Sequence, residues 1–278
     1  MDAYAGFLVV QALHEGVLEQ ATDLEDALEA TLEPRGIVRK LRWKQTERGR
    51  VAGVSTRGER PPPSLTVIEN GIPFEVELLE GLHTGLFTDM REEHARMRRL
   101  ARNRRVLNTF AYTGAFSLAA VLGGAESVTS VDIVARVLER ARRNFRLSGL
   151  DPAAHHFARM EVLDFLQMAR KKGWTYSAIV LDPPTFSTFK SGSWSLKTGY
   201  PVLLRLALGV LDKEGLLWVA ANTESAPQER IERHILNALE DAGREGRLLA
   251  TGGLPPDYPT LLGAPASRYL KVYVLVVL

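Results

Sequence analysis

Asn108-Thr109-Phe110-Ala111-Tyr112-Thr113-Gly114 joins the apolar pair Val106-Leu107 to a helical run, Ala115 to Leu122, that stops at Gly123-Gly124. A strand-type segment, Ser127 to Val131, comes next. Val134, Val137, Leu138, Ala141 and Phe145 then mark one face of a helix ended by Gly149. Apolar run, turn, amphipathic helix and apolar run again is the pattern of a parallel β-α-β unit. Downstream the alternation continues: a strand near Ala158 to Leu163, a helix to about Lys171, and the buried-type strand Ser177 to Leu181. A helix around Val202 to Leu211, the strand Leu216 to Ala221, a helix from Pro227 to about Ala242 and a closing strand, Lys271 to Leu278, complete it. The predicted fold class is α/β, a mostly parallel sheet with helices on both faces. Ligands of such sheets bind beyond the carboxyl ends of the strands, where strand order reverses.

Upstream the pattern differs. Phe7 to Val10 reads as a strand, and Thr22-Asp23-Leu24-Glu25 has capping-box spacing ahead of Leu24, Leu28 and Leu32 at helical intervals. Gly36 ends that helix, Ile37 to Trp43 alternates as a strand, and Glu47 to Ser64, rich in Gly and Pro, reads as a loop. Leu65 to Glu69, Asn70-Gly71 and Phe74 to Leu78 form a hairpin signal, because Asn-Gly supplies the positive φ angles of a tight turn. The predicted division is a small N-terminal α+β domain over 1–88, a candidate for substrate or RNA contact, and a larger domain over 89–278. A helix capped by Asp89 and running to about Arg102 opens the latter.

The 278 residues are 45% hydrophobic and 24% charged, with a net charge of +2, so attraction for a polyanion must come from local patches. Cysteine is absent, which removes disulfides, thiolate metal sites and thiol nucleophiles. His155-His156 lacks carboxylates at ligand spacing, so no metal is expected. No phosphate loop of the Walker type and no Gly-x-Ser-x-Gly elbow occurs. The N-terminus lacks a signal peptide's basic region, and no apolar run approaches the ~20 residues of a membrane span. A soluble, cytoplasmic protein is the expectation; a homodimer is left open.

Only Gly114 in the first loop is a glycine, whereas a dinucleotide site wants three for close approach to pyrophosphate. Two aromatics and one glycine suit a nucleoside carrying an amino-acid tail; an ordinary strand-to-helix turn reads equally well from the loop alone. Asp132 ends the second strand, where a carboxylate can accept from ribose hydroxyls, and Asp164 follows the third, where it could accept from an adenine amine. Each alone reads as a helix N-cap; together with the loop they favour one crevice. Asp182-Pro183-Pro184-Thr185-Phe186 closes the fourth strand, a rigid turn with a carboxylate and an aromatic plane suited to holding a flat base.

The stretch from Thr84 to Ser187 resembles the class I S-adenosylmethionine-dependent methyltransferases of large-subunit ribosomal RNA, those forming 5-methylcytosine or 7-methylguanine in 23S RNA. Four ordered pieces carry the resemblance: Thr84 to Arg91, Asn108 to Phe116, Ser130 to Asp132, and Asp182 to Ser187. It implies a Rossmann-like seven-stranded sheet, S-adenosylmethionine as cofactor and RNA as partner. By it, Phe110, Tyr112, Gly114, Asp132 and Asp164 line the cofactor site together with Asn108, Thr113 and Asp182. Thr84, Phe87, Asp89 and Arg91 reach it from the preceding segment. The 5-methylcytosine members carry an RNA-binding domain ahead of the matched part, and this chain is expected to begin after it. They also place a cysteine after the fifth strand, where this chain reads Val219-Ala220-Ala221-Asn222-Thr223-Glu224.

Carbon 5 of a pyrimidine needs a thiolate adduct before it can attack a methyl donor, whereas a ring nitrogen already presents a lone pair. The composition therefore favours direct in-line transfer to a base nitrogen, guanine N7 first, as in the 7-methylguanine type. The catalytic candidates are Asp182 and the Pro183 carbonyl to orient the base, Phe186 to stack on it and Asn222 to hydrogen-bond. Three basic clusters occur: Arg35 to Arg50, Arg91 to Arg105, and Arg136 to Arg146. The first two are read as phosphate-tracking and the third as a solvated helix face. Trp174, Trp194 and Trp218 read as packing residues, with Trp194 and Tyr200 also placed to edge a substrate mouth. Two rival readings stay open, a methyltransferase of the same fold acting on a small molecule or protein, and a non-catalytic RNA-binding relative.

Overall fold

The computed structural model describes residues 1–42, 53–81, 83–184, 186–189, 192–195, 198–224 and 227–278. The chain divides into two compact units, Met1–Phe87 and Thr88–Leu278. The expectations for Trp43, Lys44, Arg48 and Arg50 fall outside the described residues, as do those for the side chains of Phe186 and Trp194.

The first unit is built on a four-stranded sheet of β1 (Asp2–Tyr4), β2 (Phe7–Ala12), β3 (Gly36–Leu41) and β4 (Val54–Gly58), in that order. Ala5 and Gly6, both at positive φ, turn β1 into β2. Helix α1 (Ala21–Leu32) connects β2 to β3, which run parallel. Leu28 packs on Leu8, Val10 and Ile37, whereas Leu24 and Leu32 stay exposed. The capping box does not form: Gln20 is the N-cap without a side-chain bond, and Glu33, in the left-handed region, ends the helix before Gly36. Strand β4 lies inside the segment read as loop, paired antiparallel to β3. The Asn70-Gly71 hairpin forms as read, joining β5 (Leu65–Glu69) to β6 (Ile72–Val76) with both turn residues at positive φ.

The second unit opens on a 3-10 turn, Thr88–Met90, and α2 (Arg91–Leu100). Then follow β7 (Arg105–Thr109), α3 (Ala115–Leu122), β8 (Ser127–Asp132), α4 (Ala135–Leu147), β9 (His156–Arg159), α5 (Val162–Lys171) and β10 (Tyr176–Leu181). A small hairpin, β11 (Phe186–Phe189) and β12 (Gly192–Ser195), precedes α6 (Gly199–Leu208), β13 (Leu211–Asn222), α7 (Gln228–Asp241), β14 (Gly246–Gly252) and β15 (Leu270–Val277). The seven strands run in the order β14-β15-β13-β10-β7-β8-β9. Every pair from β13 to β9 is parallel; β15 alone is reversed, antiparallel to both of its neighbours. The predicted mostly parallel sheet is therefore present, and strand order reverses beside the first strand, β7.

Burial follows position in the sheet. In central β10, Ala178, Ile179, Val180 and Leu181 are fully buried, as expected of a strand covered on both faces. At roughly 1.5–3 kcal/mol for each large apolar side chain, this is where burial stabilises the sheet most. The third strand ends earlier than predicted. Val162, Phe165, Leu166 and Ala169 follow helical spacing and form the buried face of α5, so Leu163 belongs to the helix. Edge strand β14 was not predicted, because Leu248 and Leu249 are both exposed and give no alternation. At the amino end of the sheet, Arg244 places all five guanidinium N–H groups on carbonyls of Leu208, Leu211, Asp212, Val277 and Leu278, at 2.7–3.2 Å.

Candidate active site

Strand register aligns the carboxyl ends. Thr109 is level with Val131 and Leu181, and Leu181 with Val219. The next residues along this row are Phe110, Asp132, Asp182 and Ala220, the last three on neighbours of β7 or one strand further. Sequence separations of 22 to 110 residues thus collapse into one line across the top of the sheet.

The loop after β7 is held in an unusual shape. Phe110, Tyr112 and Gly114 all have positive φ, at 53°, 49° and 81°. Two such non-glycine residues in three positions store strain that the surroundings must hold. The Ala111 amide donates to Val131 O (2.9 Å), and the Tyr112 amide to Asp132 Oδ2 (3.0 Å). Asn144 on α4 donates from Nδ2 to Thr113 O at 2.9 Å. Gly114 is required twice: by its φ, and because a Cβ there would lie 2.9 Å from Ala141 Cβ. Helix α4 therefore seats directly against the loop.

Asp132 also accepts from the Val134 amide through Oδ1, at 2.9 Å. Burial raises its carboxyl pKa, and backbone bonds from Val134, Tyr112 and Ile133 oppose the rise. With three backbone amides directed at it, the carboxylate keeps a lone pair for an outside donor such as a ribose hydroxyl. Asn108, by contrast, is buried and donates to Ser117 Oγ at 2.9 Å, which in turn lies 2.7 Å from Ser130 Oγ. Its side chain supports the loop from below. Phe110 packs partly on the core under α5 and α6. Asp164 lies in the first turn of α5, exposed. The residues that directly follow β9 are Met160, whose amide donates to Asp132 O (3.1 Å), and Glu161, the N-cap of α5. Glu161 lies nearer the end of β9 than Asp164 does, because that strand ends at Arg159 and not at Leu163.

On the other side of β7, burial lifts the Asp182 carboxyl from 3.8 to about 7, assisted by the charge of Asp89 and opposed by His94. Pro183 is buried and Pro184 exposed. Asp89, itself buried, accepts from Tyr269 Oη (3.2 Å) and from Asn222 Nδ2 (3.4 Å). Asn222 is the last residue of β13, so the fifth strand's end, the start of α2 and the entry to β15 converge on one carboxylate. Arg91 is fixed by a two-pronged pair with Asp257 (Nη1 to Oδ2, 2.7 Å), and the Thr88 hydroxyl bonds Tyr258. Nothing in the sequence signalled Asp257, Tyr258 or Tyr269, which lie more than 160 residues from their partners. Tyr200 is fully buried with its hydroxyl on Ala220 O, a packing role in place of the predicted one at a substrate mouth. Trp218 is likewise buried, whereas Trp174 is 42% exposed, its ring 6.4 Å from that of buried Phe165 and capped by Lys172.

Thr84 and Phe87 belong to the first unit. The Thr84 hydroxyl donates to Tyr4 Oη at 2.9 Å, and Phe87 packs 5.0 Å from the His83 ring. Lys40, fully buried, donates to Gly81 O at 3.2 Å beneath this segment, and burial lowers its pKa to about 8.

The two clusters read as phosphate-tracking are largely paired internally. Arg35 is bound by Glu59, Arg39 by Glu25 and Arg42 by Gln11. Arg96 meets Glu93, Arg104 the Ser177 carbonyl and Arg105 Asp212. Among the described residues, no group of three His, Cys, Asp or Glu could hold a metal ion, and no helix is long and apolar enough to cross a membrane.

A family model described as S-adenosylmethionine-dependent methyltransferase matches residues 4–258. The chain is 33% identical over 277 residues to a Bacillus subtilis protein named as a ribosomal RNA large subunit methyltransferase, covering 99% of this chain and 70% of that one. A ribosomal RNA large subunit methyltransferase of Erwinia tasmaniensis is 32% identical over 278 residues, covering 98% and 69%. Among solved structures, a methyltransferase crystallised with S-adenosylhomocysteine superimposes with a TM-score of 0.91 at 28% identity, over 98% of this chain and 70% of that one. A further one from Streptococcus mutans gives 0.89 at 28% identity, over 98% and 69%.

Proposed function

Because the chain belongs to the S-adenosylmethionine-dependent methyltransferase family, we propose that it methylates a base nitrogen, guanine N7 foremost, in large-subunit ribosomal RNA, acting in the cytoplasm. The donor set at the top of the sheet fits the cofactor: Asp132 for the ribose hydroxyls, the strained Phe110–Gly114 loop for the amino-acid tail, and Met160 with Glu161 at the adenine end. Bound there, S-adenosylmethionine supplies an electrophilic methyl group. The names of the relatives, large-subunit ribosomal RNA methyltransferases, support the choice of substrate.

The observation that carries the choice of atom is the lack of any thiol, with Asn222 at the end of β13 held toward Asp89. Attack by N7 forms an N–C bond as the S–C bond breaks, and leaves the base cationic. No proton has to be removed, so the protein's task is alignment and charge stabilisation. Asp182 and Asp89 supply negative potential where that positive charge develops. The Asp182 carboxyl, balanced near neutrality, loses its proton more readily as a cation approaches. The Pro183–Pro184 backbone limits the freedom of the turn that presents it.

The test is incubation of the purified protein with S-adenosylmethionine and ribosomal RNA, followed by nucleoside mass spectrometry. The expected product is 7-methylguanosine. Appearance of 5-methylcytidine refutes the choice of atom, and methylation of protein or metabolites but not RNA refutes the choice of substrate.

A further inference from the structure

Of the third basic cluster, read from sequence as a solvated helix face, Arg136 and Arg146 are exposed, Arg142 and Arg143 half-buried and Arg140 buried. Arg142 and Arg146 lie on the last two turns of α4. With Pro152, Ala153, His155 and Phe157 they line a cleft of about 300 Å³ beside the edge strand β9. That volume is at the lower end of small-molecule sites. The Arg142 guanidinium stacks on the Phe157 ring, 4.7 Å from its centroid. Phe157 is in turn held edge-on, 5.3 Å from the buried ring of Phe145. Asp151 caps the Pro152–Ala154 turn by accepting the Ala153 amide at 2.9 Å, which fixes the far wall.

Charge in the cleft is unbalanced. Glu139 reaches both arginines only at long range, 3.6 Å from Arg142 and 3.5 Å from Arg146, and all three side chains are at least one-third exposed. Burial lowers the His155 pKa, with the charge of His156 adding to the effect and that of Asp151 opposing it, so the two guanidinium groups carry the attraction at neutral pH. Two arginines with one shared, loosely held carboxylate, one of them laid flat on an aromatic ring, make a site for a phosphate joined to a flat or sugar ring. The cleft lies toward the amino end of the sheet, with Phe157 level with Ser130 of β8, whereas α4 begins beside Asp132 at the other end. Seven to eleven residues of helix separate it from the crevice, on the order of 10–16 Å.

We propose that this cleft is a second contact for the RNA, gripping one phosphodiester between Arg142 and Arg146 and resting the adjoining nucleotide on the Arg142 guanidinium plane that Phe157 backs. This rests on the RNA reading above and adds a place for the substrate backbone outside the crevice. The test compares wild type with Arg142→Gln/Arg146→Gln, using a mixed-sequence single-stranded oligoribonucleotide across a salt series, with S-adenosylmethionine affinity measured by calorimetry. Both arginines are at least one-third exposed, so the fold should survive; Phe157→Leu is the second variant if it does not. The expected result is about tenfold weaker RNA binding and a log–log salt slope reduced by about 1, with cofactor affinity unchanged.

Unchanged RNA affinity and salt slope in both variants overturn the proposal while leaving the RNA reading intact. Failure of the wild type to bind RNA at all overturns both. Saturable binding of adenosine monophosphate that the oligoribonucleotide does not displace assigns the cleft to a free nucleotide and also overturns it.

Discussion

Replacing Asp182 by Asn should make the protein more stable at neutral and alkaline pH, and by a pH-dependent amount. Burial first and Asp89 second lift this carboxyl from 3.8 to about 7. In the unfolded chain it titrates near 3.8, so below that pH both states are protonated and the group is neutral to folding. Between about 3.8 and 7 the folded state holds a proton that the unfolded state has lost, and stability falls with rising pH. Above about 7 the penalty is fully developed, up to about 4 kcal/mol at ~1.4 kcal/mol per tenfold. Asn keeps the shape and removes the charge. Urea denaturation should therefore show the variant only about 1 kcal/mol more stable than wild type near pH 4.5, and up to about 4 kcal/mol more stable near pH 8. The m-value should not change, since the surface exposed on unfolding is the same. A stability difference that is flat with pH, or an Asn variant less stable at pH 8, would refute the assignment of Asp182 as a carboxylate held against its preference.

Methyl transfer should show the opposite sign, because the ionised form does the work: kcat/KM should fall about tenfold per pH unit below about 7, and a flat profile between pH 6 and 8 would remove Asp182 as its cause. Gly114→Ala should weaken S-adenosylmethionine binding in calorimetry and destabilise the fold by at least ~1–2 kcal/mol, since the φ of 81° and the 2.9 Å approach to Ala141 both oppose a side chain; wild-type affinity would show that the loop does not form the site. Asp132→Ala should lower cofactor affinity at least about tenfold by losing charge-assisted hydrogen bonds, and unaltered calorimetric binding would contradict the ribose assignment. A Cβ on residue 252 would come within 2.1 Å of Glu93 Oε1, so Gly252→Ala should cost about 1–3 kcal/mol; an unchanged melting temperature counts against that packing.

What could be read beforehand depended on how local the signal is. The parallel sheet was legible because β10 is a nearly unbroken apolar run, and because α4 keeps a helical stripe from Leu138 to Phe145. Asp132 and Asp182 could be placed for the same reason: each directly follows or ends a strand whose limits were clear. Asp164 was drawn too close to the sheet, since Val162-Leu163 continues the apolar character of β9 although it already belongs to α5. Strand β4 was hidden in a stretch whose glycines and prolines dominate its composition, and its residues are mostly exposed. Asp89 and Asn222 were both named as site residues through the resemblance, but their contact with each other and with Tyr269 was not legible: it spans 133 and 180 residues of chain, and only closure of the sheet makes it. The basic clusters show that the number of arginines in a window does not say which will find carboxylates once folded.

Arg244 makes the last point about charge most sharply. It enters the tally of +2 like any other arginine, yet its five donors face the carbonyls of Leu208, Leu211, Asp212, Val277 and Leu278. A cation ringed by five inward-turned carbonyls works as mortar, with no N–H left to grip a passing phosphate. A lysine there, with three donors, would leave carbonyls unanswered. The direct grip on a drifting polyanion is thus set by fewer cations than a count of basic residues suggests, and by where those few are left facing outward.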